Sequence, residues 1–312
     1  MWLTPGRIPT TAPPRVVKVG ALWQPPLGCH ALVFSGSWSR DDAETAIKGA
    51  KEAGFDMIEI PLLDPRKVDP TMTKHLLEEH HMRSSNSLGL SFNADINSED
   101  SECVERGRRL LFEALSTAEA IGTRYLCGVL YSALGKYSGP SSPRARANAA
   151  RVLRELADAA SDKGITLALE YVNRYETNLL NTARDTRAFI AEDMGDPKNV
   201  FVHLDSYHAH IEENSMREAV LACGDRLGYV HIGECHRGYL GQGSCDLPGL
   251  FRALRDVDYN GPITFESFSS AVVSDDLSNT LAVWRNLWDD SDDLASHAHA
   301  YMQAQLILNS KH

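Results

Sequence analysis

A single closed (β/α)8 barrel is the fold this sequence predicts, and three observations point to it. Eight short apolar runs alternate with eight amphipathic stretches along the chain. The runs are near-continuously apolar, with no strict alternation, as in parallel strands covered on both sides. No GxGxxG follows the first run, which removes the main signature of the competing open, doubly wound sheet. A length of 312 residues would ordinarily point to two domains, but a closed eight-stranded barrel absorbs it as one.

The elements follow in order. Residues 1 to 18 are rich in Pro and Thr, carry a few basic residues and lack the apolar centre of a signal peptide. They predict a poorly ordered extension ahead of a barrel spanning 19 to 312. The first run is CHALVFS (29 to 35). A capping box of Ser39 and Asp42 then opens a helix that turns Ala43, Ala46, Ile47 and Ala50 inward and ends at Gly54. The second run, DMIEIPLL (56 to 63), precedes a charged helix closed by His80 and His81, read as solvent-facing. LGLSFNA (88 to 94) is the third strand, and its helix carries Val104, Leu111, Leu115 and Ala118 on one stripe before Gly122. RYLCGVLY (124 to 131) is the fourth. Ser142-Pro143 then starts a helix that buries Val152, Leu153 and Leu156 and stops at Gly164. ITLALEYV (165 to 172), VFVHLDSY (200 to 207), GYVHIGE (228 to 234) and PITFESF (262 to 268) complete the set, with a helix from Asn214 to Cys223 ended by Gly224.

Composition bounds the function. A formal net charge of −11, without a basic face to offset it, argues against nucleic acid as a partner. No apolar run approaches the roughly 20 residues that span a bilayer, so no membrane partner is expected. Six scattered cysteines, with no CxxC and no secretory signal, fit free thiols in a reducing cytoplasm.

The chemistry concentrates in the last four runs. Glu170 closes ITLALE, Asp205 closes VFVHLD, His231 lies in GYVHIGE and Glu266 closes PITFES, at separations of 35, 26 and 35 residues. Each separation is about one strand, one helix and two loops, so on neighbouring parallel strands all four side chains reach the C-terminal mouth of the barrel. Three carboxylates and one imidazole suit a hard or borderline divalent cation such as Mn²⁺, Co²⁺ or Mg²⁺. Any one of them alone reads equally well as a strand-end ion pair. Together and unpartnered they would repel one another, and a cation gives the set its reason to exist. Glu59, in the second run, is a candidate for orienting one of these ligands. His203 and His210 flank Asp205 off any ligand spacing and read as barrel or rim residues, and GYLGQGS reads as a flexible rim.

The segments LEYVNRYETNLLNT, HLDSYHAHIEE, HIGECHRGYLGQGS and ITFESF resemble, in order and spacing, the motifs of the D-tagatose 3-epimerase family. That family includes D-allulose (psicose) and L-ribulose 3-epimerases and belongs to the xylose-isomerase-like barrels. The resemblance covers about residues 29 to 290. It implies Mn²⁺ or Co²⁺ bound by Glu170, Asp205, His231 and Glu266, sugar contacts from Glu176, His208 and Arg237, and assembly as a homodimer or homotetramer. It also implies a free ketose as the small-molecule substrate, a ketohexose such as D-tagatose, D-fructose or D-allulose, or a ketopentose such as L-ribulose. Inverting C3 of a ketose requires removing the proton beside the C2 carbonyl and returning one to the opposite face. A cation on O2 and O3 would stabilise the cis-enediolate, and Glu170 and Glu266 could exchange roles as base and acid.

The first strand with His30 and Phe34, and the segment from Leu134 to Ser138, depart from the family's aromatic contacts to the far end of the sugar. They leave the chain length of the substrate open. An alternative on the same metal barrel is a sugar isomerase or an inosose dehydratase. A metal-dependent abasic-site nuclease would need further His ligands and a basic surface, and a non-catalytic sugar-binding protein would not need both glutamates. Apolar residues in LAVWRNLW (281 to 288) and AYMQAQLIL (300 to 308), read as helical, point to a subunit contact.

Overall fold

A computed structural model describes residues 23 to 310. The expected N-terminal extension, residues 1 to 18, lies outside the described residues. Eight parallel strands close into one barrel in sequence order: β1 (Leu27–His30), β2 (Met57–Pro61), β3 (Arg83–Ser87), β4 (Tyr125–Gly128), β5 (Thr166–Glu170), β6 (Val200–Asp205), β7 (Leu227–Ile232) and β8 (Ile263–Phe265), with β8 pairing back to β1. The core lies mainly between this barrel and its outer helices, and is continuous from Leu27 on β1 to Leu306 near the C-terminus.

The helices begin and end where local chemistry directs. α1 (Arg40–Glu52) has the Ser39–Asp42 capping box and buries Ala43, Ala46, Ile47 and Ala50. α2 (Pro70–Glu79) is capped by Asp69. α3 (Ser101–Ile121) ends at Gly122, whose φ of +92° supplies the left-handed turn that a side chain resists. α4 (Pro143–Asp162) has Ser142 as its cap and Pro143 in its first turn. α5 (Ala183–Ala188), α6 (Ser206–Glu212), α7 (Met216–Cys223) and α8 (Leu247–Asp256) follow. α9 (Asp275–Thr280) and α10 (Ser291–Asn309) come after β8.

Two sequence expectations are corrected. The third strand is Arg83–Ser87, not 88 to 94. Its buried residues are small and polar, so hydropathy hides it. Each is satisfied inside: the Ser85 hydroxyl meets the Tyr229 hydroxyl at 2.6 Å, and Asn86 donates to the Ile60 carbonyl at 3.1 Å and accepts from Thr123 at 2.9 Å. The apolar residues after it form a loop, in which Leu88 and Leu90 are buried and Leu90 bridges to Ala133. Residues 281 to 288 are not helical. Trp288 within them is buried while Trp284 is 75 % exposed, and on α10 Ile307 and Leu308 face solvent. No described helix is long and apolar enough to cross a membrane, and all six cysteines are free.

The barrel interior is polar at its centre. The Tyr229 hydroxyl donates to Glu59 Oε2 at 2.7 Å and lies 2.8 Å from Thr264 Oγ1. This buried network forms the floor of the mouth above it.

Candidate active site

Register brings the four strand-end residues together. Asp205 on β6 pairs with His231 on β7, and Glu170 on β5 pairs with His203 on β6. Glu266 follows β8 directly, and its backbone N–H donates to Ile232 O at 3.0 Å. One ligand atom each from Glu170, Asp205, His231 and Glu266 lies within 4.8 Å of the others, and all four residues are buried. His231 Nδ1 stands 3.7 Å from Glu170 Oε1 and 3.4 Å from Glu266 Oε1.

The donor set fits a divalent cation on this structure's own evidence. His231 Nε2 is held by Glu59 Oε2 at 2.8 Å, which leaves Nδ1 aimed at the carboxylates with no hydrogen-bond partner. A carboxylate behind a ligating imidazole is the arrangement that fixes tautomer and ring orientation at metal centres. Burial would drive the proton off His231, yet Glu59 and Glu266 raise it well above its ordinary value. Glu170, buried and close to Glu266 and Asp205, is pushed up to about 8 against the pull of His231. Three buried carboxylates faced by one arginine leave an excess of negative charge that a doubly charged ion would balance.

The other residues singled out in the sequence surround this cluster. Burial lowers His208 to about 3, so it is neutral. Its Nδ1 accepts the Asn173 backbone N–H at 3.1 Å, so the proton sits on Nε2, 3.8 Å from Glu170 and 3.7 Å from Asp205. Arg237 Nη1 reaches Glu266 Oε2 at 2.6 Å and Asp205 Oδ2 at 3.2 Å, its guanidinium 3.9 Å from the Tyr207 ring centre. The arginine passes close over Gly233, where a Cβ would come 3.1 Å from Nη1. Glu176 is half-buried, and its carboxyl is raised by burial against the pull of Arg237.

Three residues that sequence reasoning passed over hold the site together. Asn173 joins His208 to Glu176, whose Oε1 accepts its amide at 2.8 Å. The signal was its position in VNRYE, midway between two candidate acids. Glu234 is buried and accepts the backbone N–H of Gly241 at 2.9 Å and of Cys245 at 3.3 Å, so the glycine-dense segment read as a flexible rim is tied down. Ser267, beside Glu266, donates to the Arg237 carbonyl. Its neutrality gave no signal.

His203 lies inside the barrel and His210 on the surface, the two places considered for them. Beside the cluster is a cavity of about 70 Å³ whose walls include Leu32, Leu88, Leu134, Phe268, Leu277 and Leu281. Phe34 instead packs against Gly49 of α1.

Comparison with known proteins places the chain in a family. The model of the xylose isomerase-like TIM barrel family matches residues 47–287. An L-ribulose 3-epimerase of Methylomonas sp. (strain DH-1) is 55% identical over 276 residues, 88% of this chain and 96% of the relative. A ketose 3-epimerase of Arthrobacter globiformis is 45% identical over 280 residues, 90% of this chain and 96% of its own length. The crystal structure of a D-allulose 3-epimerase from Methylomonas sp. in complex with D-allulose superposes with a TM-score of 0.88 at 53% identity, over 91% of this chain and 99% of that one. The chain belongs to the xylose isomerase-like TIM barrel family, on its ketose 3-epimerase branch, and is an isomerase-class enzyme.

Proposed function

We propose that this protein is a metal-dependent ketose 3-epimerase that acts on free ketoses. The observation that carries the reading is the convergence of three carboxylates and an orphaned imidazole nitrogen at the barrel mouth. Glu170, Asp205, His231 and Glu266 would hold the ion, with Mn²⁺ first among candidates and Co²⁺ or Mg²⁺ after it. Bound there, a divalent cation supplies Lewis acidity where negative charge develops.

The chain's own groups account for the proton transfers. Glu170 and Glu266 come from β5 and β8, three strands apart in the ring, and flank a ketose from opposite faces. One takes the C3 proton, and the other delivers a proton to the opposite face of the resulting cis-enediolate. The roles reverse with the configuration of the substrate. His208 Nε2–H, Glu176 and Arg237 hold the C1 to C3 oxygens. Leu32, Leu134, Leu277, Leu281 and Phe268 present few hydrogen-bonding groups to the remaining carbons. Such a wall accepts pentuloses and hexuloses, and L-ribulose, D-allulose, D-fructose and D-tagatose are the first substrates to try. A cytoplasmic setting and a homodimer or homotetramer complete the reading.

The test is a screen of free ketoses with added Mn²⁺, separating products, with a chelator control. C3 epimers should appear, vanish with chelator and return with Mn²⁺; an aldose or a dehydrated product would instead mean isomerase or dehydratase chemistry. Glu266→Gln should lower kcat by about a thousandfold or more while the protein stays folded. Near-normal epimerisation by that variant would refute the assignment.

A further inference from the structure

Among the seven candidate site residues, Arg237 alone has a left-handed backbone, with φ of +61°. A residue with a Cβ stays there only where its surroundings over-determine it. Its N–H donates to Glu234 O at 2.9 Å. Its carbonyl accepts from the fully buried Ser267 hydroxyl, which lies 2.9 Å from the indole Nε1 of Trp288. The chemistry of the three groups fixes the direction of this chain. An indole N–H can only donate and a carbonyl can only accept, so the single Ser267 proton must point at Arg237. Trp288 also closes the segment that supplies Leu277 and Leu281 to the cavity wall. Asn286 pins the base of that segment, its Oδ1 accepting the Ser269 hydroxyl at 2.8 Å and the Ser270 hydroxyl at 2.9 Å.

We propose that Ser267 and Trp288 are positioning residues for the active-site arginine. The Trp288–Ser267 relay holds the Arg237 backbone so that its guanidinium bridges Asp205 and Glu266 and faces the substrate. The segment that walls the cavity and the arginine that reaches into it then share one anchor. The proposal rests on the reading of Arg237 as a ketose contact.

The experiment is a double-variant cycle in the Mn²⁺-loaded enzyme. Ser267→Ala breaks the relay at its centre, and Trp288→Phe removes the donor while keeping an aromatic ring in the core. Loss of one buried hydrogen bond predicts KM up about tenfold for Ser267→Ala and somewhat less for Trp288→Phe, with kcat within about threefold. Links in series are not additive, so the double variant should be no worse than Ser267→Ala alone. An unchanged KM in Ser267→Ala or additive effects would each overturn the proposal.

A second readout is independent of turnover. The side-chain Nε–H resonance of Arg237, identified by its loss in Arg237→Lys, should shift in both single variants. If the parent epimerises no ketose, the functional reading fails, and this resonance still decides the relay: a shift supports it and an unmoved signal overturns it.

Discussion

The two ring nitrogens of His231 have different duties. Nε2 is committed to Glu59, whose carboxyl burial would raise but which His231 and its hydrogen bond hold below the usual range. Nδ1 is thereby left without a hydrogen-bond partner, facing Glu170 and Glu266, free to give up its proton for a bound cation. The Glu59→Gln variant keeps the shape of the side chain and removes the charge that holds the tautomer. Its Mn²⁺ affinity should fall about ten- to a hundredfold, the usual effect of losing such a partner. Calorimetric titration of the metal-free protein measures this, and unchanged affinity would mean that the ring is oriented by packing alone. The four strand-end ligand candidates were legible because each ends an apolar run, where an ionisable side chain has no reason to be unless it faces the mouth. Asn173 and Ser267 were not, since neutral side chains in a loop look alike until their partners are known.

At the scale of elements, β3 is the instructive case. RSSNS has none of the branched or aromatic residues that mark a strand, yet Ser85, Asn86 and Ser87 are buried. Neighbours supply hydrogen bonds in place of apolar contact, which is the condition for burying polar groups. Asn86→Leu would strip a hydrogen-bond partner from Thr123 and from the Ile60 carbonyl. It should cost about 2 kcal/mol, read as a lower midpoint in urea unfolding with the metal held constant. An unchanged or raised midpoint would show that leucine packing substitutes for those bonds. The helices were easier to read because their ends are local: the Ser39–Asp42 box and Gly122 act on backbone groups within a few residues.

For the molecule as a whole, buried neutral histidines link stability to pH. His30 is pulled by burial to about 4 despite the attraction of Glu59, while in the unfolded chain it titrates near 6.5. Between these values the unfolded state binds a proton that the folded state refuses. Stability from this group is therefore complete above about 6.5 and is lost as pH falls towards 4, up to roughly 3 kcal/mol. Comparing the parent with His30→Gln cancels the groups that both share, Glu170 among them. The gap in Tm between the two should narrow as pH falls from about 6.5 to 4.5, and a constant gap would show that His30 does not titrate as argued.

The alternation of apolar runs and amphipathic helices determined the barrel, because covering each strand on both sides leaves a periodic trace in one dimension. The spacing of Glu170, Asp205, His231 and Glu266 placed them at one mouth for the same reason. Only the tertiary structure decided which polar residues are partners: Glu59 behind His231, Asn173 between His208 and Glu176, Trp288 and Ser267 behind Arg237. Those bonds join residues as many as 172 positions apart. Hydrogen bonding depends on atoms within about 3 Å and their direction, a quantity that strand closure creates and that no local pattern in the chain encodes.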